Sequence, residues 1–314
     1  MGRAFLITLC VAAMLAALPW FGDEVMIQFG IDALLFATVA QAWNILGGFT
    51  GYASFGNSAF YGLGTYGTAI AMAQLCLPFW VGLMLGAALA VACAVLIGLP
   101  ILRLRGHYFA IATLGLSATI SAVIANLDIA GRAIGLILPL THNDAMFYEA
   151  ALALLVATTL TVAWISQSRF GMGLVAIRED EDAAQVMGVN TTFYKVAALS
   201  LSAFFTALAG GIHAYWITFI DPGGAFDLSL NVRMVIMAVF GGPGTVFGPV
   251  IGSFLLTAVY EVLASSISTA AALLFGLVII LAVIFMPRGL WDLSRGFRAV
   301  GWRYLLQNIQ QHKL

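Results

Sequence analysis

Few residues in this 314-residue chain could carry charge chemistry, because charged side chains make up only 9% of it. Three ionisable groups fall inside long apolar stretches: Asp32, His213 and Glu261. An ionisable group at membrane depth marks a pathway, a proton relay or a ligand contact unless it reaches the interface or is simply packed. Asp32 and Glu261 lie within about two helical turns of the ends of their apolar windows, so an interfacial position is the competing reading. His213 stands beside Gly210 and Gly211, where a packed imidazole is the plainer expectation. The densest charge is elsewhere. Arg178, Glu179, Asp180, Glu181 and Asp182 are five charges in succession, followed by Ala183, Ala184 and Gly188. Carboxylates at a helix start suit the positive end of its dipole, and a glycine past its end suits a left-handed cap. The stretch 168–190 therefore reads as a short polar helical segment between spans, shaped to rest on a soluble partner. Gly188 is expected to hold a backbone conformation costly for other residues, and Ala184 to be small so that a partner can close over it.

Two glycine-rich stretches interrupt the apolar pattern, LGGFTGYASFGNSAFYGLGTYG at 46–67 and GGPGTVFGP at 241–249. Backbone that leaves a helix at membrane depth survives only where protein or a water-filled cavity covers it, so such breaks mark a translocation path. Gly47, Gly51, Ser54, Gly56 and Asn57 in the first, and Gly241, Gly242 and Gly244 in the second, are the candidate path residues. Close helix packing through small residues explains the first equally well. The two prolines of the second, Pro243 and Pro249, favour a broken or re-entrant helix there.

The elements that position these residues are membrane helices. The chain is 62% hydrophobic with a mean hydropathy of +1.02, against roughly 45–50% apolar for soluble domains. Its apolar runs are long and do not alternate, which predicts an all-α integral membrane protein rather than a barrel. With about 20 residues per span, windows fall at 4–21, 25–46, 60–77, 79–102, 108–127, 146–165, 192–220, 232–240, 246–263 and 270–286. That is about ten, or eight to ten allowing for the short and glycine-broken pieces. The first, after Arg3, resembles a signal peptide without a convincing cleavage site and is read as a retained helix. The chain is read as one transmembrane domain over 1–314, with 168–190 as a segment within it and 288–314 as a polar C-terminal tail.

Arg3, Arg103, Arg105, Arg169, Arg178, Lys195, Arg288, Arg295, Arg298, Arg303 and Lys313 fall on one side of this arrangement, and only Arg132 and Arg233 on the other. The excess of basic residues places both termini and 168–190 in the cytoplasm. A net charge of −1 gives no reason to expect nucleic acid. Cys10, Cys76 and Cys93 lack paired spacing and are read as small buried hydrophobes. No G-x-x-x-x-G-K-[ST] loop is present, and neither Lys195 nor Lys313 follows a glycine, so no P-loop holds ATP here. No constellation of carboxylates, His or Cys suggests catalysis.

Asp182-Ala183-Ala184-x-x-x-Gly188 resembles the E-A-A-x-x-x-G coupling motif of ABC importer permeases, with Asp in place of Glu. The surrounding run into TTFYKVAALSLSAFFTALAGG, with LGGFTGYASFGNSAFYGLGTY, LRLRGHYFAIATLG, VFGGPGTVFGPVIG and IFMPRGLWDL in this order, resembles the permease subunits of branched-chain amino-acid importers over most of the chain. Ala130-Gly131-Arg132 departs from a Thr-Gly-Gly-type turn of that family, and Asn57 stands where many members have His. The resemblance implies a complex in the cytoplasmic membrane: this subunit, a second homologous permease, two cytoplasmic ATPases that bind the ATP, and an extracytoplasmic substrate-binding protein. No cofactor of its own is implied. The rival class is an ion-coupled secondary transporter, for which only Asp32 and Glu261 offer a titratable site. Within the ABC class, urea, short amides or another small polar solute remain alternative cargoes.

Overall fold

In a computed structural model the described residues are 23–141 and 143–266, with isolated positions outside them. They are almost entirely helical. The helices are α1 (Glu24–Thr50), α2 (Asn57–Ala73), α3 (Phe79–Ile101), α4 (His107–Ile124), α5 (Asp144–Ile165), α6 (Arg169–Glu179), α7 (Glu181–Val186), α8 (Thr191–Ile217), α9 (Pro222–Ala225), α10 (Leu228–Gly241) and α11 (Gly248–Ser266). Seven stretches among the described residues are long and apolar enough to cross a membrane, α9 and α10 together supplying one of them. This is an all-α, multi-pass membrane protein. Helices dominate because a spanning backbone must satisfy its own N–H and C=O groups where no water can.

Eight of the ten expected windows lie in the described residues, and each coincides with a helix. The first and tenth, and the expected tail at 288–314 apart from Gly289 and Leu290, lie outside them. One departure is a two-residue antiparallel ladder, β1 (Leu136–Ile137) on β2 (Phe219–Ile220), which ties the α4–α5 loop to the end of α8. Another is Cys76, expected to be buried but exposed in the α2–α3 turn with a φ of 51°.

The 27-residue α8 is the central post and packs on α1, α2, α3 and α5. The close approaches run through small residues. A Cβ on Gly67 would meet the Gly86 backbone at 2.6 Å, and one on Gly211 would meet Thr68 Oγ1 at 2.5 Å. Without a hydrophobic drive between helices in lipid, such contacts supply the association. Polar caps mark the starts of the elements that follow. Asn143 accepts from Met146 N–H, Ser168 from Gly171 N–H, Asn190 from Phe193 N–H and Asp221 from Gly224 N–H.

Helix ends sort into two poles. At one, the ends of α1 and α3 meet α6, α7 and the start of α8; at the other lie the α4–α5 loop, the end of α8 and α9. Arg105, Arg178 and Lys195 gather at the first pole and Arg132 at the second, which follows the expected partition.

Candidate functional site

The polar segment at 168–190 forms two helices rather than one. Asp180 breaks them: its backbone is extended (φ −160°), and its carboxylate accepts from Asp182 N–H at 2.9 Å and Ala183 N–H at 3.0 Å, capping α7. Gly188 follows with φ +87° and no neighbour within 4 Å of a Cβ, so backbone conformation alone demands glycine there. Ala184 differs from expectation. It is buried at 4% exposure, because Glu181 one turn earlier is drawn into the protein and turns that face of α7 inward. The outward apolar groups are instead Val186 and Met187, 87% and 83% exposed, with Met172 and Phe193 nearby in sequence. Glu179, Asp180, Asp182 and Ala183 are exposed beside them.

Glu181 is held by Lys195. Lys195 is 3% exposed, and its ammonium donates to Glu181 Oε1 at 2.6 Å, to the Leu102 carbonyl at 2.8 Å and to Tyr52 Oη at 3.2 Å. It also lies 4.7 Å from the centre of the Tyr52 ring. The Tyr52 hydroxyl donates to Glu181 Oε2, and Arg105 grips Asp182 with two hydrogen bonds of 2.7 and 2.9 Å. Burial alone would raise the Glu181 carboxyl, but the hydrogen bonds from Lys195 and Tyr52 and the charges of Lys195 and Arg105 hold it below the ordinary glutamate range. Burial, then the hydrogen bond and charge of Glu181, push the Tyr52 phenol up, so it stays protonated and remains a donor. The paired hydrogen bonds from Arg105 lower Asp182. Thus α7 is fastened to α8, to the α3–α4 loop and to the chain just after α1. Lys195, Tyr52 and Arg105 escaped the sequence reading. A lone lysine four residues inside an apolar helix was the available signal.

The first glycine-rich stretch is broken over six residues only. Gly47 lies within α1, as does Gly48, which packs on the Gly244 backbone. Gly51 ends that helix in the left-handed conformation (φ 74°), its N–H donating to the Gly47 carbonyl at 3.1 Å. Residues 51–56 then run inward to Asn57, which starts α2 beside Ser202 and Thr206 of α8. Ser202 is eleven residues into α8, roughly 16 Å along its axis, so α2 begins near mid-membrane. Side chains satisfy the exposed backbone. Trp43 Nε1 donates to the Ser54 carbonyl at 2.8 Å, Thr113 Oγ1 accepts from Phe55 N–H at 3.0 Å, and Asn231 Nδ2 donates to the Phe55 carbonyl. The Gly56 N–H donates to Ser54 Oγ at 3.2 Å, and a Cβ on Gly56 would press on the Thr113 carbonyl at 3.0 Å. Farther along, Gly62, Gly64 and Gly67 serve close packing of α2. The stretch therefore holds both a helix break, at 51–56, and close helix packing, at Gly62, Gly64 and Gly67.

The second stretch forms the turn between α10 and α11. Gly241 closes α10, and a Cβ on Gly252 would meet its Cα at 2.7 Å. Gly242 (φ 122°) and Gly244 (φ 76°) turn the chain, and Pro249 sits in the first turn of α11, where its missing N–H costs nothing. Asn44 and Gln41 of α1 hold this turn: Asn44 accepts from Gly244 N–H at 2.7 Å and donates to the Thr245 carbonyl at 2.9 Å, and Gln41 donates to the Val246 carbonyl at 2.7 Å.

Arg178 joins the three parts. Its guanidinium donates to the Gly48 carbonyl at 3.3 Å and to Glu179 Oε1 at 3.1 Å. A Cβ on Gly244 would lie 3.0 Å from Arg178 Nη1, and one on Gly51 would lie 3.1 Å from its Cγ. One residue of α6 therefore touches both breaks.

The profile of the family described as branched-chain amino acid transport system / permease component matches residues 25–284. The chain belongs to this family. Among curated relatives it is 25% identical to the high-affinity branched-chain amino acid transport system permease protein LivM of Escherichia coli (strain K12), over 93% of this chain and 76% of that protein. LivM of Salmonella typhimurium matches to the same extent. The autoinducer 2 import system permease protein LsrC of Yersinia pestis is 28% identical over 58% of each chain. As a family member it is a transport component, and the matched residues span the breaks, Arg178 and α7 together.

Of the other residues expected to matter, His213 is packed among aromatic rings, 5.8 Å from Tyr61 and 5.9 Å from Trp216. Asp32 and Glu261, far apart in sequence, line one cavity with Arg233.

Proposed function

We propose that the chain is the permease subunit of an ATP-driven importer that carries branched-chain amino acids across the bacterial cytoplasmic membrane. ATP binds on two separate cytoplasmic ATPases docked at 168–190, a second homologous permease completes the pathway, and an extracytoplasmic binding protein delivers the cargo. The observation that carries this reading is Arg178. It sits in the segment whose exposed apolar tip, Val186 and Met187, suits a soluble partner, and it touches both helix breaks. A shift of that segment on nucleotide binding therefore reaches the pathway without an intermediate wire. The asymmetry of basic residues supports a cytoplasmic position for this pole and both termini.

The cargo follows from the LivM relatives, and LsrC is the observation that favours a second reading: the same machine with another small solute. Reconstituting the complex and comparing ATP-dependent uptake of labelled leucine, urea and a pentose separates them. Leucine uptake alone is expected. Robust urea uptake without leucine overturns the cargo, and uptake that needs no ATPase but collapses with the proton gradient overturns the class. In a cysteine-free background, a cysteine at Glu179 should react with an impermeant reagent only once the inner face is opened, and one at Asp144 from outside intact cells. The reverse pattern would sink the orientation.

A further inference from the structure

Asp32 of α1, Arg233 of α10 and Glu261 of α11 line a cavity of about 60 Å³ in the half of the bundle away from 168–190. Asp32 lies eight residues into α1, about 12 Å along its axis. Arg233 is held there by stacking, its guanidinium 5.2 Å from the Phe36 ring centre and 4.6 Å from that of Tyr260. Among the described residues it makes no hydrogen bond and no ion pair within 4 Å, so none of them occupies its fork of donors. Thr257, 7% exposed, lines the same cavity, and its hydroxyl has no hydrogen-bond partner among the described residues. Asp32 and Phe36 also border a second cavity of about 70 Å³, walled by Leu35, Val39, Leu230 and the rings of Tyr61 and His213.

A purely structural cluster would close guanidinium on carboxylate. This one leaves a cation donor, two carboxylates and a buried hydroxyl facing one space, next to a recess lined mainly by aliphatic and ring carbons. A molecule that fits must bring a carboxylate for Arg233 and Thr257, a cation for Asp32, and a short aliphatic group for the recess. Those groups together describe an aliphatic α-amino acid zwitterion. A cavity of about 150 Å³ admits benzene, so a recess of about half that volume suits a branched aliphatic chain better than a phenyl ring. We propose that this pair of cavities is a cargo-binding site of the permease itself: Asp32 takes the ammonium, Arg233 the carboxylate in a bidentate pair, Thr257 a carboxylate oxygen, and exposed Glu261 draws the ammonium to the mouth. This rests on the amino-acid cargo proposed above and adds where the permease reads it.

The test measures tritiated-leucine binding to the purified permease–ATPase complex in nanodiscs, without binding protein, displaced by leucinamide, 4-methylpentanoate or phenylalanine. For wild type, each competitor is expected to be at least tenfold weaker than leucine. Asp32→Asn should weaken leucine tenfold or more and leave 4-methylpentanoate within twofold, because only the ammonium contact is lost. Arg233→Gln should weaken leucine equally and leave leucinamide within twofold; Arg233→Lys should recover part of the loss. Equal displacement by leucine and 4-methylpentanoate, which needs no variant to fold, overturns the site. So does leucine affinity unchanged in both variants, or absent saturable binding in a wild-type complex that takes up leucine with its binding protein. A wild-type complex that transports no leucine removes the cargo reading, and this site falls with it.

Discussion

The chain contains two mixed-charge clusters built from the same residue types, and they are opposites. At the 168–190 pole, Glu181, Lys195, Tyr52, Arg105 and Asp182 close on one another, and each donates to or accepts from another member at 3.2 Å or less. In the other half, Asp32, Arg233 and Glu261 share a cavity, yet Arg233 has no hydrogen bond or ion pair among the described residues. A closed cluster fixes one arrangement of helices, because opening it strands a charge. An open cluster can be completed by something else. Ionisable groups in membrane helices are not one class, and what distinguishes holding from binding is whether their valences are already filled.

Breaking the closed cluster should have the largest effect. Lys195→Met leaves the Glu181 carboxylate with only the exposed Arg105, 3.7 Å away, as counter-ion, and loss of one partner of a buried pair costs about 3–5 kcal/mol. Thermal unfolding of the solubilised complex should show a clear fall in Tm together with lost transport. Lys195→Met combined with Glu181→Leu should recover most of the Tm while ATPase stimulation stays low; recovery of both would show that the pair only stabilises. Arg233→Gln, by contrast, removes two cation–π contacts of about 0.5–1 kcal/mol each and should hardly move Tm.

The fold was legible because lipid imposes one answer on long apolar runs: the helix boundaries at 79–101 and 144–165 agree with the expected windows to within two residues. The two helix breaks were legible through glycine and proline. Which residues satisfy them was not, because Trp43, Thr113 and Asn231 meet residues 54–56 only after α1, α4 and α10 pack together. The face of α7 was misjudged for a related reason. Local sequence placed Ala183 and Ala184 in a helix, but Lys195, reaching from the next span, decides that Ala184 turns inward.

Gly188 tests the same pole without touching a charge. With φ +87° and open space around it, Gly188→Val imposes backbone strain of about 1–2 kcal/mol on the turn after α7. The subunit should insert normally, while binding-protein-stimulated ATP hydrolysis falls at least several-fold. Unchanged stimulation would make the segment a solvated turn. A smaller effect is expected from Arg105→Ala. Its pair with Asp182 is exposed at both ends, 55% and 71%, and such pairs contribute about 1 kcal/mol or less and weaken with salt. The difference in ATPase stimulation from wild type should shrink as ionic strength rises. A salt-independent loss would place this pair inside the closed cluster rather than at its rim.

The smallest effect at neutral pH concerns acid. Glu181 is held below its ordinary pKa in the folded protein, so unfolding lets it bind a proton more readily. Its contribution is therefore fully present above the ordinary glutamate pKa of 4.5 and is lost as pH falls through the lower folded value. The Tm difference between wild type and Glu181→Gln should be constant from pH 8 to about pH 6 and narrow only on the acid side of the glutamate range. Asp182, lowered by Arg105, adds a second acid-side loss, which Asp182→Asn should remove while leaving the Glu181 part in place. A Tm difference for Glu181→Gln that instead grew on acidification would mean that the carboxyl is held in its neutral form. Lys195 would then be the unpaired member, and the contrast between the closed and open clusters would be reversed.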